Sequence, residues 1–278
     1  MYESWWGMSA SPFTNRLETR WFHESPTHEE ALARLFYLIE EQRGLGLVMG
    51  ESGTGKSLLL KVLGSQVRRT RRHFASVDLL GLDGHEMLWQ VAAALQLAPD
   101  ESATRWSLWR SVADHVESLQ LSRSQLVFAF DHLERADASC HQLLERLLNL
   151  NRSGKAVTFV AAIRSAEFST LARLLGEQAD LRVEIAPLHL EETDEFIHDL
   201  LQKAGCTRNV FSGDAVIRIH AVSRGCPRLI CRVCELSMIA AMAGEHESIS
   251  DDLVDSVSAG LVVPAESEEL LTRQHQFV

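Results

Sequence analysis

The sequence has no long hydrophobic run. No stretch reaches the roughly 18 uninterrupted apolar residues of a membrane-crossing helix, so no membrane span is expected within it. The opening residues, Met1-Tyr2-Glu3-Ser4-Trp5-Trp6, lack both the basic and the apolar stretch of a secretory leader. Cysteine is sparse: five residues, an odd number, at no spacing that makes a disulfide framework. A reducing, cytoplasmic location is the expectation. Positive charge is also short. The formal net charge is -11, which argues against a protein that coats nucleic acid through a general basic field. A local basic patch stays open. There is no internal repeat and no low-complexity tract. What remains is 278 residues of ordinary globular composition, 46% hydrophobic and 23% charged, enough for one large domain or two modest ones.

One stretch organises the chain: Gly50-Glu51-Ser52-Gly53-Thr54-Gly55-Lys56-Ser57, a complete G-x-x-x-x-G-K-[ST] phosphate-binding motif. Its context is the required one. The apolar run Leu45–Met49 before it reads as a buried strand, and Leu58–Leu63 after it reads as a helix packed on a sheet. A polyphosphate carries several negative charges and needs many donors at close range. Glycines at 53 and 55 let the backbone curl and point its N–H groups inward. The helix start adds partial positive charge at the same point. Lys56 supplies an ammonium for the β- and γ-phosphates, and Ser57 a hydroxyl for Mg²⁺. ATP with Mg²⁺ is the expected ligand.

The flanking patterns extend this to a fold. Residues 1–28 form an arm carrying Trp5, Trp6, Phe13, Trp21 and Phe22, read either as packing over the core by its aromatics or, more sharply, as reaching the nucleotide base with its end. Thr27, with Glu30 three residues on, predicts a capped helix running to Glu41. A strand is expected over Phe74–Asp78 and helices over Gly84–Leu97 and Trp106–Leu119. The apolar run Leu126–Asp131 fits a parallel strand buried on both faces. Helix Cys140–Leu150, strand Ala156–Ile163, helix Glu167–Leu175 and strand Leu181–Ile185 follow. The alternation predicts an α/β P-loop core over 29–187, a parallel sheet sandwiched by helices. From 188 to 260 only helices are expected: Glu191–Lys203, Gly213–Val222, Pro227–Met242 and Ser250–Ser258. They read as a small all-helical lid, with a flexible tail over 261–278. Asp131, ending its strand, stands where an acidic residue assists Mg²⁺.

The segments Tyr2…Trp6-Gly7-Met8…Ser11-Pro12-Phe13, Trp21-Phe22 and His28-Glu29-Glu30-Ala31-Leu32 accompany the phosphate loop. So do Pro187-Leu188…Glu191-Glu192-Thr193 and Gly225-Cys226-Pro227-Arg228-Leu229-Ile230. Together they resemble the ATPase domain of general secretion pathway protein A, a branch of the AAA+ ATPases. Related transposition-regulator and pilus-biogenesis ATPases look similar. The resemblance implies sheet order 5-1-4-3-2, a helical lid and often ring-like assembly. It puts Arg228 at the lid arginine that reads the γ-phosphate, and His28 near the base. It implies Asp followed by a water-polarising Glu, whereas here Asp131 is followed by His132. A neutral imidazole can accept a proton near pH 7, so slow hydrolysis is expected. Glu134, its place set by a loop, is a substitute. The polar position ending the fourth strand falls on Ile163 and Arg164. The inter-subunit arginine lies near Arg182, its best-matching position being Gln178.

Other groupings have ordinary readings beside sharper ones. Arg68, Arg69, Arg71 and Arg72 suit a helix C-terminus, where the dipole favours cations, or else contact DNA or an acidic partner. Cys226, Cys231 and Cys234 with His220 have a passing metal spacing, but small buried thiols are the commoner use. Three functions stay open: an ATPase switch or motor for assembling a secretion or pilus-like machine; an ATP-controlled regulator of transposition type on DNA; and a non-hydrolysing, ATP-bound scaffold. A homo-oligomer, ring or filament, is expected in each.

Overall fold

The computed structural model describes residues 2–14, 16–150, 156–175 and 178–261. A short helix, α1 (Tyr2–Trp5), opens the arm. The sheet-bearing part then runs α2 (Pro26–Glu40), β1 (Leu45–Gly50), α3 (Lys56–Arg69), β2 (His73–Asp78), α4 (Gly84–Ala94) and α5 (Arg105–Leu121). It continues through β3 (Leu126–Asp131), α6 (Ala138–Leu150), β4 (Val157–Arg164), α7 (Phe168–Leu175) and β5 (Leu181–Ile185). Helices α8 (Leu190–Lys203), α9 (Gly213–Ser223), α10 (Pro227–Ala243) and α11 (Asp251–Ser258) complete it. The expected tail falls largely outside the described residues.

The sheet is wholly parallel, in the order β2-β3-β4-β1-β5. Alternation along its strands divides the core. Phe128, Phe130 and Phe159 stack on one another on the face covered by α4–α7, together with Leu45 and Leu47. Val48, Val127, Ala129, Val160 and Ala162 point to the other face, under α2 and α3. Successive side chains thus feed two cores, which is why these strands read as continuous apolar runs.

Register fixes the rim. Gly50 lies beside Arg164 on one side and Ile185 on the other, and Asp131 lies beside Asp78. The C-terminal ends of β1, β2, β3 and β4 therefore deliver Gly50, Asp78, Asp131 and Arg164 to one edge of the sheet, where open α/β folds bind ligands.

Three local expectations are corrected. Helix α2 is capped by Ser25, whose Oγ accepts from the His28 N–H at 3.4 Å, and not by Thr27. Pro26 explains the earlier start: it needs no N–H partner, and its fixed φ suits the first helical position. Helix α4 stops at Ala94, short of Leu97. Gln96 adopts φ 61°, and the Leu97 N–H returns to the Ala92 carbonyl, a left-handed helix stop. Most of the arm's buried aromatics pack on the C-terminal helices and not on the sheet, Phe22 alone of them joining the core under α2 and α3. Trp6, 1% exposed, donates its indole N–H to the Met238 carbonyl, and Phe13 meets Phe211 edge-on. Tyr2, Trp6, Met8, Phe13 and Trp21 share one core with α8–α11. Among the described residues no helix is long and apolar enough to cross a membrane.

Candidate nucleotide-binding site

The loop between β1 and α3 is curled and held from three sides. Gly55 sits at φ 102°, a backbone that residues with a Cβ rarely adopt, and a Cβ there would stand 2.9 Å from His28 Nε2. His28 is itself buried. Its Nε2 lies 3.1 Å from the Thr54 carbonyl, which can only accept, so Nε2 carries the proton; Nδ1, 2.7 Å from Ser25 Oγ, takes that hydroxyl's hydrogen. The neutral ring thus braces the loop from below. Across the loop, the Arg228 N–H reaches the Gly53 carbonyl and its Nη1 the Ser52 hydroxyl, each at 3.3 Å; Cys226 Sγ lies 3.4 Å from the Ser52 carbonyl. The start of α10 rests directly on the loop.

Lys56 closes the third side. Its ammonium donates to the Gly50 carbonyl at 2.8 Å and the Glu51 carbonyl at 2.7 Å. An ammonium has three hydrogens, so one is left for an anion in the loop's concavity. Burial pushes the Lys56 amine down, opposed by the carboxylates of Glu134 and Asp131. A site that strains to keep its own cation charged gains by receiving a polyanion.

The loop opens on a cavity of about 320 Å³. Ser52 to Ser57, Asp131, His132, Glu134, Arg164 and Arg228 are among its lining residues. Leu17, Phe22, Leu188, Phe196 and Leu200, from the arm and the helical region, add apolar surface to its lining, beside Thr14, Arg16 and His23 of the arm. A nucleotide needs both kinds of lining, for an anionic tail and for a flat, weakly polar base. Ser57 and Asp131 stand in that lining with the chemistry to hold Mg²⁺. Among the described residues no cluster of three or more His, Cys, Asp or Glu could hold a metal alone.

His132 takes φ 54°. Its Nδ1 lies 2.8 Å from Asp78 Oδ1, and its backbone N–H donates to Asp131 Oδ1 at 2.9 Å. Ile163 is buried in the sheet, whereas Arg164 reaches the cavity and lies 3.3 Å from Glu134 Oε1. Arg182 lies over the Phe168 ring of its own chain. The basic run is divided: Arg68 covers Phe74, Arg72 bonds Gln125 and Thr70, and Arg69 lines a separate groove beside Lys203, Glu195 and Asp199. Cys234 is buried, and burial pushes the Cys231 thiol up to about 12.

The sequence did not point to Asp78 or to the wall from Phe196 and Leu200. Asp78 carries a faint signal, a carboxylate closing an apolar strand; the wall carries none, since it depends on how the helical region docks.

Burial also pushes the His28 imidazole below its ordinary 6.5. The unfolded chain therefore takes up this proton at higher pH than the folded one, and stability is lost as pH falls from 6.5 through the folded value. Between about pH 7 and about pH 5.5 the melting temperature of His28→Gln is expected to fall less steeply than that of the unaltered protein. Equal slopes in a thermal melt series would contradict this.

A parallel five-stranded sheet with a glycine-rich phosphate loop at its rim, followed by helices that rest on that loop, is the α/β architecture of a P-loop fold. Residues 39–171 match the family model described as AAA domain. Over 259 residues the chain is 29% identical to general secretion pathway protein A of Aeromonas hydrophila, a match covering 91% of this chain and 47% of that one, so the chain spans about half the length of that curated relative. Among solved structures it is similar to Cdc6p of Pyrobaculum aerophilum, at 18% identity and TM-score 0.70, covering 97% of this chain and 73% of that one. It is also similar to the ORC2 protein of Aeropyrum pernix in ADPNP–ADP complexes, at 15% identity and TM-score 0.65, covering 87% and 68%. These two likenesses show the fold.

Proposed function

We propose that this protein binds ATP with Mg²⁺ and hydrolyses it slowly, acting as a nucleotide-dependent switch in the assembly of a secretion or pilus-like complex. The observation that carries the reading is the Lys56 ammonium, tied to two loop carbonyls with its third hydrogen left for a phosphate. Residues 188–260 act as a lid whose Arg228 senses the nucleotide's phosphates. Its guanidinium contact with the Ser52 hydroxyl supplies the link, because a γ-phosphate competes for the same group. When bound, Mg²⁺ neutralises phosphate charge, and Ser57 and Asp131 would hold it. His28 and Gly50 to Ser57 keep the loop's donors turned inward. The secretion role rests on the likeness to general secretion pathway protein A, and with it a cytoplasmic location and a homo-oligomer. The DNA-bound alternative gains little support, since two of its four arginines are committed within the chain.

His132 at the position of the family's carboxylate is the reason to expect low turnover. Phosphate release in saturating ATP and magnesium is expected below about 1 per second, the bottom of the usual range. His132→Glu is expected to raise it at least about tenfold, within the usual scale of general-base catalysis. Fast turnover with His132 intact removes the low-turnover claim.

A further inference from the structure

We infer that Glu134 is the base that takes the proton from the attacking water, held in place by Arg164; the inference rests on the hydrolytic reading just given. Three observations lead to it. First, the position of Glu134 is rigidly set. The left-handed turn at His132 folds the chain back, the Arg135 N–H bonds the His132 carbonyl at 2.8 Å, and Leu133 is fully buried. His141 Nε2 lies 3.1 Å from the Leu133 carbonyl and pins the turn from α6.

Second, the Glu134 side chain is 3% exposed yet lines the cavity, and its two oxygens differ. Oε1 faces Arg164 at 3.3 Å, while Oε2 is buried with no hydrogen-bond partner. A buried carboxylate oxygen left unpaired costs free energy, and a water brought in with the nucleotide would supply the missing donor.

Third, Asp131 Oδ1 accepts from the His132 backbone N–H, so one oxygen of the neighbouring carboxylate is engaged, and the His132 imidazole, tied through Nδ1 to Asp78, lies on the more exposed side of the rim with Nε2 as its one remaining base. Glu134 is also the carboxylate that acts most strongly on the Lys56 ammonium, ahead of Asp131.

In the reaction the water oxygen forms a bond to the γ-phosphorus, and its proton passes to Oε2 of Glu134. The bond from that phosphorus to the β–γ bridging oxygen breaks, its electron pair leaving on ADP. Phosphate departs, and Glu134 returns the proton to solvent. Arg164 is a positioning residue: it fixes the carboxylate and keeps Oε2 turned from it.

The test uses the full chain and measures ATP affinity and single-turnover hydrolysis side by side. Glu134→Gln keeps size and shape. It is expected to bind ATP within about threefold of the unaltered protein and to hydrolyse it at least about 100-fold more slowly, the scale of a lost general base. Where the glutamine variant does not fold, Glu134→Asp, which withdraws the carboxylate, is expected to hydrolyse at least about tenfold more slowly with affinity kept. Unchanged hydrolysis in a folded variant overturns the assignment, as does loss of turnover in His132→Ala with Glu134→Gln unaffected. Loss of ATP binding together with hydrolysis in a folded Glu134→Gln also overturns it. An unaltered protein that binds ATP but never cleaves it overturns the assignment and the hydrolytic reading together, leaving the binding reading intact.

Discussion

Lys56→Ala is expected to lower ATP affinity by roughly 150-fold or more while the chain stays folded. The ammonium makes two charge-assisted hydrogen bonds within the loop and offers a third to phosphate. Hydrogen bonds to a charged group contribute about 1.5–3 kcal/mol each. Losing the phosphate contact and the loop's pre-shaped curl together removes roughly 3–6 kcal/mol, which is that fold-change or more. The carboxylates of Glu134 and Asp131 then face the phosphate without their shared cation. Titration with a fluorescent ATP analogue, alongside circular dichroism, checks both halves. Affinity within a few-fold of the unaltered protein would show that Lys56 braces the loop and does not grip the ligand.

Gly225→Ala is expected to destabilise the protein by about 3 kcal/mol, lowering its melting temperature by roughly 6–12 °C. Gly225 sits at φ 73° just ahead of α10, and a Cβ there would stand 2.0 Å from the Leu188 carbonyl oxygen. The Leu188 N–H also bonds the Gly225 carbonyl at 2.9 Å, so the segment leaving the sheet and the turn leading into α10 are fastened at this point. Neither backbone can yield without moving Cys226 and Arg228 off the phosphate loop, so weaker ATP binding is expected as well. Gly7→Ala is the control. Gly7 has nearly the same φ, 70°, with nothing within 4 Å of the Cβ site, so only the backbone penalty of about 1–2 kcal/mol applies. Indistinguishable melts for the two variants would refute the steric argument.

The sheet was legible because each strand carries its own signal. Leu126–Asp131 and Leu181–Ile185 fall where the apolar runs predict them, and the phosphate loop falls between its strand and helix. Local chemistry misled only where a neighbour outbid it. Thr27 has the right capping partner, but Pro26 lets the helix begin earlier on Ser25. The placement of Trp6 and Phe13 was illegible for a different reason. Their amphipathic setting says that they are buried, not against which surface, and contacts to Met238 and Phe211 span about 200 residues of sequence. The site divides the same way. The residues expected to touch nucleotide, His28, Gly50 to Ser57, Asp131, His132 and Arg228, converge on one rim of the sheet. The surroundings that decide their chemistry, the brace from His28 to Thr54, the Asp78 partner of His132 and the buried Glu134–Arg164 pair, exist only once the turns are folded.

Calorimetric titration of the folded chain with ATP and magnesium addresses the central claim most directly. The account predicts saturable heat at one site per chain, lost in Lys56→Ala. A folded, unaltered protein that gives no heat and no change in melting temperature with ATP and magnesium would contradict it.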